Sequence, residues 1–248
     1  MDALGRELHK LFARLERSLA DTTRFTANAA HELRTPLQVV MGRLEVELLH
    51  GRGEDSAREA MSDALDELSR LRALIDGLLV LARAGAGQLP MADEAVDLFA
   101  LAERVVERDR PLAEDRAIVL DLSASGPVAA RGDRLLLERA VGNLVTNAIV
   151  HGRAAGRVSI SVGREGARAV VRVEDDGPGV APAERERLFE PFHRGDGART
   201  REPHGGFGLG LSIARRIVEA HHGEVTWAPR PSGGSVFAVS LPAPSSDA

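Results

Sequence analysis

The sequence of 248 residues contains no cysteine, no tyrosine and only one tryptophan. Without cysteine the chain can form no disulfide and has no thiol nucleophile. The scarcity of aromatic side chains and a net charge of −5 argue against nucleic acid as a partner. No apolar run approaches the roughly 18–20 residues of a membrane span. Residues 1–20 are charged and amphipathic, unlike a signal peptide, so we expect a cytoplasmic chain.

A nearly continuous helix is predicted over residues 1–50. Its central face repeats every three or four residues and consists of Thr22, Thr26, Ala29, Leu33, Leu37, Val40 and Leu44. His31 lies about 200° from Leu33 around such a helix and therefore points away from this face. Glu32 flanks the histidine, Thr35 shares its outward side, and Pro36 is expected to bend the helix.

A second helix is predicted after Gly51–Gly53, with Ser56 as its N-cap and Glu59 completing a capping box. Its apolar face consists of Met61, Ala64 or Leu65, Leu68, Leu71, Ile75, Leu78, and Leu81 or Ala82. Two antiparallel helices with one apolar face each bury little surface, so a dimeric four-helix bundle is the simplest solution. The alternative is that both helices pack on the C-terminal domain.

A Gly-rich stretch, residues 84–90, predicts a hinge, after which the pattern becomes α+β. Helices are predicted at 98–109, 133–151, 181–188 and 209–221, and strands at 117–122, 157–162, 169–174, 225–227 and 235–241. Residues 195–206 predict a polar loop and the last six residues a disordered tail. We interpret His221 and His222 as surface residues at a helix end.

Two segments carry polar groups suited to a nucleotide. Asn143 and Asn147 share a helix face, and amide oxygens are ligands that Mg²⁺ accepts. Asp175 ends a strand, where a carboxylate can accept a hydrogen bond from an exocyclic amine. Gly177 and Gly179 would let a flat base approach the backbone, although the same residues also suit a turn.

Two further segments flank the polar loop. Phe192 belongs to an aromatic–proline motif that either contacts a ligand or pins the loop as a hydrophobic plug. Gly206, Gly208 and Gly210 lead into a helix, whose N-terminal N–H groups and positive dipole end favour phosphate. Their spacing matches neither the dinucleotide-binding fingerprint nor a P-loop.

The order of these motifs is specific: HExxTP, NxxxNA, DxGxG, FxPF and GxGxGL. It resembles the histidine, asparagine, glycine and phenylalanine boxes of bacterial two-component sensor histidine kinases. The resemblance implies an α-helical hairpin forming a dimeric four-helix bundle, followed by an α+β two-layer sandwich, the Bergerat or GHKL ATPase fold. It implies upstream sensor and membrane segments that this chain lacks, and hence the cytoplasmic part of an inner-membrane sensor.

The resemblance also implies domain bounds. They are 1–20 for the end of a HAMP-like signalling helix, 21–84 for the dimerisation and histidine-phosphotransfer hairpin, 85–92 for the hinge, 93–242 for the ATP-binding catalytic domain and 243–248 for the tail.

By the same resemblance, His31 would accept the phosphoryl group, Glu32 would orient the imidazole and take its proton, and Thr35 would position water in the reverse, phosphatase reaction. The nucleotide-binding residues would be Asn143, Asn147, His151, Asp175, Gly177, Gly179, Phe192, Arg194, Gly206, Gly208, Leu209 and Gly210. Asn147 and Asn143 would hold Mg²⁺ beside ATP. The partner would be a response regulator receiver domain, docked on the bundle face around His31.

The chain departs from the family pattern at Val150, where a Lys or Arg is frequent. A cation could come instead from Arg194, Arg199, Arg201 or His151. Two other functions remain open. One is an ATPase of the gyrase or chaperone type, although Asn143 stands at the position of their catalytic glutamate and they lack a histidine hairpin. The other is a nucleotide-binding dimeric scaffold without kinase activity, which only Val150 favours.

Overall fold

The computed structural model describes residues 3–51, 53–195 and 206–243. The chain divides into two compact units, Met1–Leu78 and Leu79–Ala248. Among the described residues, no helix combines the length and apolar character needed to cross a lipid bilayer. Most of the predicted polar loop and the predicted tail from residue 244 lie outside the described residues.

Two long helices, α1 (Ala3–His50) and α2 (Glu54–Gly85), build the first unit, and the last residues of α2 belong to the second. The predicted helical hairpin is therefore confirmed. Residues 86–93 form neither helix nor strand. The predicted domain bounds, including the hinge at 85–92, stay a prediction.

The connection between the helices corrects the predicted capping box. α2 begins at Glu54, so Ser56 lies inside the helix and does not cap it. The Ser56 hydroxyl instead donates to the carboxylate of Glu47 on α1, at 2.7 Å. Arg43 and Asp63 form a second link between the two helices. Side chains therefore join the helices across the turn.

The predicted apolar faces are only partly covered in this hairpin. Val40 and Ala64 are buried, at 7% and 6% exposure. A set that we call the apolar face of the hairpin remains exposed, and consists of Leu37, Met41, Leu44, Leu48, Met61, Leu65, Leu68 and Ile75. The reason is geometric, since two helices cover only one flank of each other and leave the other flank open.

The described residues of the second unit form seven strands: β1 (Glu94–Asp97), β2 (Val119–Ala124), β3 (Ala129–Gly132), β4 (Arg157–Glu165), β5 (Arg168–Asp175), β6 (Glu224–Pro229) and β7 (Ser235–Pro242). Five of them form a sheet in the order β2-β4-β5-β7-β6, in which only β2 and β4 pair in parallel. β1 and β3 form a separate antiparallel pair. The sequence did not predict this pair, because four residues are too few to show a period.

Three helices form the other layer: α3 (Leu98–Asp115), α4 (Arg134–His151) and α5 (Gly210–Ala220). α4 packs against both α3 and α5, and the core between the layers includes Val105, Leu144, Ile217, Ile160, Val171, Val173 and Phe237, each at most 1% exposed. The predicted α+β two-layer sandwich is confirmed. Burial of large apolar side chains on both layers supplies most of its stability.

Some predicted bounds need correction. α3 continues past its predicted end at Asp109, because Ala113 in its last turn is buried at 1% exposure. The predicted helix at 181–188 is a short 3-10 helix, Pro182–Arg187. It is followed by the aromatic–proline motif.

The surface interpretation of His221 is wrong, because this side chain is buried at 6% exposure. Its Nδ1 donates to the carbonyl oxygen of Ile217, at 2.8 Å, and its Nε2 accepts the N–H of Asp133, at 3.0 Å. Both ring nitrogens are satisfied, which removes the usual cost of burying a polar group. The ring joins the end of α5 to the start of α4. His222 is exposed, as expected.

Candidate functional site

His31 lies exposed on α1 in the first unit, as the periodicity predicts. Glu32 beside it is half-buried. The Thr35 hydroxyl donates to the carbonyl oxygen of His31, at 3.3 Å, so it lies one helical turn from the imidazole. α1 continues through Pro36, which is buried. The hairpin therefore presents an imidazole to solvent with a carboxylate and a hydroxyl close by.

In the second unit, Asn143 and Asn147 are one turn apart on α4 and half-buried. The helix is fixed at its start because the Asp133 side chain caps it and accepts the N–H of Leu136, at 3.0 Å. The Nδ2 of Asn143 is buried without a hydrogen-bond partner among the described residues. A Cβ at Gly210 would lie 3.8 Å from Cγ of Asn143, so the first residue of α5 adjoins this amide.

Asp175 ends β5 and is buried at 4% exposure. Its Oδ1 accepts the N–H groups of Gly177, at 2.9 Å, and Ser235, at 3.3 Å. Burial raises the pKa of Asp175 above its ordinary value of 3.8, while the two N–H donors favour the ionised form and lower it. The carboxylate is thus held in one orientation by backbone donors in a poorly solvated place.

The backbone of Gly234 packs against the backbone of Asp175. Gly234 has φ of +101°, and a Cβ there would overlap the carbonyl oxygen of Asp175. Gly179, with φ of +74°, would place a Cβ 3.1 Å from the carbonyl oxygen of Gly234. Only glycine fits both positions without displacing the chain. The predicted site does not include Gly234 or Ser235. The sequence predicts Ser235 only as the first residue of a strand, although the Gly-Gly pair before it is a signal of an unusual backbone.

The two segments on either side of residues 196–205 meet at Phe192 and Gly208. The N–H of Phe192 donates to the carbonyl oxygen of Gly208, at 3.0 Å. Both have left-handed backbones, with φ of +64° and +71°. A Cβ at Gly208 would lie 3.2 Å from Cγ of Arg194 and 2.7 Å from the carbonyl oxygen of His193. The hydrogen bond joins the aromatic–proline motif to the segment that precedes α5, and both interpretations of Phe192, ligand contact and hydrophobic plug, stay predictions.

Leu209 is buried and precedes α5 as its N-cap residue, and the Ser212 hydroxyl donates to its carbonyl oxygen, at 2.8 Å. This leaves the first N–H groups of α5 as donors next to Asn143. Gly206 is exposed and is the first described residue after position 205. Arg199 and Arg201, the other predicted sources of a cation, lie outside the described residues.

His151 ends α4 and is exposed, and a positive charge on its imidazole would lower the pKa of Asp175. A Cβ at Gly177 would lie 2.5 Å from the His151 carbonyl oxygen. At Val150, where the family often has a Lys or Arg, the backbone carbonyl oxygen accepts a hydrogen bond from Nη2 of Arg116, at 3.0 Å. The structure thus brings the end of α4 against the Asp175 loop.

No cluster of three or more His, Asp or Glu side chains suited to a metal occurs in residues 3–51, 53–195 and 206–243. The predicted metal ligands are the neutral amides of Asn143 and Asn147. Mg²⁺ binds few protein groups when phosphate oxygens and water complete its coordination. The amide oxygens therefore fit Mg²⁺ held together with a phosphorylated ligand, and the unpartnered Nδ2 of Asn143 is a donor that suits a phosphate oxygen of that ligand.

Two family models match the chain. Residues 21–87 match the His Kinase A (phospho-acceptor) domain, and residues 132–245 match the histidine kinase-, DNA gyrase B- and HSP90-like ATPases. The first match contains His31, and the second contains the candidate nucleotide-binding residues.

Relatives and solved structures agree with these matches. The chain is 37% identical over 243 residues to the probable sensor histidine kinase TcrY of Mycobacterium tuberculosis, covering 97% of this chain and 50% of TcrY. The histidine kinase AdeS of Acinetobacter baumannii gives a TM-score of 0.71 at 26% identity, over 87% of this chain and 98% of that one. Full-length ShkA in complex with AMPPNP gives 0.67 at 28% identity, over 90% and 46%. The chain spans about half the length of the curated relatives it matches.

Proposed function

Since the chain belongs to the two-component sensor histidine kinases, we propose that it is an ATP-dependent protein-histidine kinase. It phosphorylates His31 from ATP, transfers the phosphoryl group to an aspartate of a response regulator receiver domain, and hydrolyses the resulting acyl phosphate in the reverse mode. One observation carries the proposal. An exposed histidine stands beside a carboxylate on a helical hairpin, in the same chain as a domain of this ATPase family.

Asp175 accepts a hydrogen bond from the exocyclic amine of adenine in the proposed site. Gly177 and Gly179 give the base access to the backbone, and the N-terminus of α5 at Gly210 donates to the phosphates. The domain family of residues 132–245 supports ATP as the ligand, as does the ATP analogue bound by the related ShkA.

Asn147 and Asn143 would hold Mg²⁺ between α4 and the phosphates. The Nδ2 of Asn143 has no partner among the described residues and would donate to a phosphate oxygen, while the amide oxygen would face the cation. When bound, Mg²⁺ would neutralise negative charge on the β- and γ-phosphates.

His31 acts as the nucleophile in its neutral form, which has a free nitrogen lone pair. This nitrogen attacks the γ-phosphorus of ATP, and a P–N bond forms as the bond to the β–γ bridging oxygen breaks. ADP leaves, and Glu32 accepts the imidazole proton. In the second step a carboxylate oxygen of the receiver aspartate attacks the same phosphorus, the P–N bond breaks, and His31 regains its proton. Such transfers depend mainly on positioning and charge neutralisation.

A second copy of the chain covers the apolar face of the hairpin in our proposal. The face includes Leu48 at 86%, Leu65 at 64% and Met61 at 61% exposure, values that are costly to leave in water. Burying two such faces against each other gives a four-helix bundle. Packing of both helices on the second domain, in place of a dimer, would contradict this proposal.

The receiver domain docks in an open groove between α1 and α2. The groove has a volume of about 620 Å³, and its lining includes Gln38, Val39, Gly42, Val46 and Ala60. Gln38 and Gly42 lie within about 20° of His31 around α1, so the groove continues the side of the helix that presents the imidazole. A partner seated there can bring its aspartate to phosphorylated His31.

Incubation with γ-labelled ATP and Mg²⁺ tests the proposal. We expect an acid-labile, base-stable label on the protein that is absent from His31→Ala. His50→Ala is the matched control, since His50 is also exposed on α1, and it should keep the label. Phosphate release without labelled protein would indicate an ATPase instead. ATP binding without label or hydrolysis would indicate the scaffold.

A further inference from the structure

We propose that Arg230 is a positioning residue that holds the Asp175 carboxylate in place and thereby sets the preference of the nucleotide site for a base with an exocyclic amine. This inference rests on the proposed ATP-binding function. Arg230 begins the turn between β6 and β7, which we call the β6–β7 turn (residues 230–234). Nothing in its sequence context marks it as part of a nucleotide site.

The Arg230 side chain reaches the last two residues of β5. Its Nη1 donates to the carbonyl oxygen of Asp175, at 3.4 Å, and its Nε lies 3.5 Å from Oε2 of Glu174. β7 lies between β5 and β6 in the sheet, so the guanidinium spans one intervening strand. The Arg230 side chain is only 30% exposed, which limits the competition from water for these contacts.

The backbone of the β6–β7 turn transmits this attachment to the carboxylate. The N–H of Arg230 donates to the carbonyl oxygen of Gly234, at 3.2 Å, and the N–H of Gly233 donates to the carbonyl oxygen of Arg230, at 3.0 Å. Ser235, the next residue, donates its N–H to Oδ1 of Asp175, at 3.3 Å. Gly234 fits against the Asp175 carbonyl only because it has no Cβ. A shift of this turn therefore moves a donor that orients the carboxylate.

The consequence is a dependence of base selectivity on Arg230. Adenine carries an amine that can donate to the Asp175 carboxylate, whereas hypoxanthine carries a carbonyl oxygen at the same place and cannot. Binding of ATP uses the placed carboxylate, and binding of ITP does not. Loss of Arg230 should thus weaken the binding of ATP selectively, while phosphate contacts made by α4 and α5 stay the same for both nucleotides.

Isothermal titration of the full chain with ATP and with ITP tests this inference. We expect the unaltered protein to prefer ATP and Asp175→Ala to lose the preference. Arg230→Met should reduce the ratio of ATP to ITP affinity by roughly fivefold through weaker ATP binding alone. Arg230→Lys, which keeps a donor and the charge, should recover part of the ratio. Arg172→Met is the matched control. Arg172 lies on β5, the strand that Asp175 ends, its side chain is similarly exposed at 34%, and it pairs with Glu165.

The outcomes distinguish a failure of the Arg230 inference from a failure of the proposed ATP-binding function. Equal weakening of ATP and ITP by Arg230→Met would show a merely structural role and overturn the inference. An unchanged ratio in Arg230→Met, with the ratio lost in Asp175→Ala, would overturn the inference and leave the proposed ATP site standing. An unaltered protein that binds neither nucleotide would overturn the proposed function, and the inference with it.

Discussion

Replacing Asp175 with asparagine should stabilise the protein without nucleotide while weakening its binding of ATP. Burial raises the pKa of Asp175 above its ordinary value of 3.8. A pKa raised by folding means that the ionised form costs stability, and that the contribution of the group falls as the pH rises through the folded pKa. At neutral pH the folded chain therefore carries a buried negative charge whose removal is favourable.

The size of both effects, on stability and on ATP affinity, follows from what the substitution removes. Asparagine is isosteric and keeps the oxygen that accepts the N–H groups of Gly177 and Ser235, so the substitution removes the charge and turns only the other oxygen into an NH2 group. Relief of such functional-site costs typically amounts to about 1 kcal/mol, or roughly 2–4 °C in Tm for a domain of this size. The proposed charge-assisted hydrogen bond to the adenine amine would contribute about 1.5–3 kcal/mol, so the affinity for ATP should fall by roughly 10- to 150-fold.

Thermal melts across pH and titration with ATP measure the two effects. The Tm gain of Asp175→Asn should be largest near pH 7 and shrink as the pH falls toward about 4, where the aspartate becomes protonated. Asp121→Asn is a control, because the Asp121 side chain is 46% exposed and its pair with Arg157 lies at the surface. A lower Tm for Asp175→Asn at pH 7, or a gain that does not depend on pH, would refute the reasoning.

Substitutions at four further positions have defined outcomes. Gly42→Arg should fill the groove and block transfer to the receiver domain while sparing autophosphorylation, whereas Gly42→Ala, whose Cβ meets no atom within 4 Å, should be tolerated in both assays. His222→Gly should raise stability by about 0.5–1 kcal/mol, seen as a higher Tm, because φ at 222 is +58° and glycine suits that conformation, while His222→Ala should give no gain. Thr35→Ala should spare autophosphorylation but slow partner dephosphorylation, and equal loss of both would contradict a phosphatase role. Asn147→Ala should abolish labelling and leave the dimer intact on sizing, since α4 belongs to the second unit.

Local periodicity predicted much of the fold. The two helices of the hairpin, α4 and the β4–β5 pair each show a repeat long enough to be recognised, and all are present. β1 and β3 were not predicted, because each has only four residues and their pairing joins residues far apart in the sequence, such as Glu94 and Gly132. The exposed leucines of the hairpin follow a helical period, but a period does not say which flank a neighbouring helix covers.

Residues of the candidate site could be predicted from the sequence only where the residue type itself indicates the chemistry. Asn143, Asn147 and Asp175 could be singled out from residue type and spacing, because an amide pair or a strand-end carboxylate is chemically suggestive wherever it occurs.

Residues whose role depends on their position in the fold cannot be predicted in this way. His221 has a polar side chain, which predicts exposure, yet it is buried because its partners are Ile217 in the same helix and an N–H at Asp133, 88 positions away. Gly234 looks like an ordinary turn residue until β7 pairs with β5 and places it against Asp175. The carboxylate that would bind the base is identifiable from the local sequence. Its backbone donor Ser235 lies 60 positions further on, and Arg230, which holds the Asp175 carbonyl, lies 55 positions further on in the β6–β7 turn. If the proposed site binds ATP, its selectivity should therefore depend on the sheet order, and a substitution in the β6–β7 turn should alter it without touching the ligand.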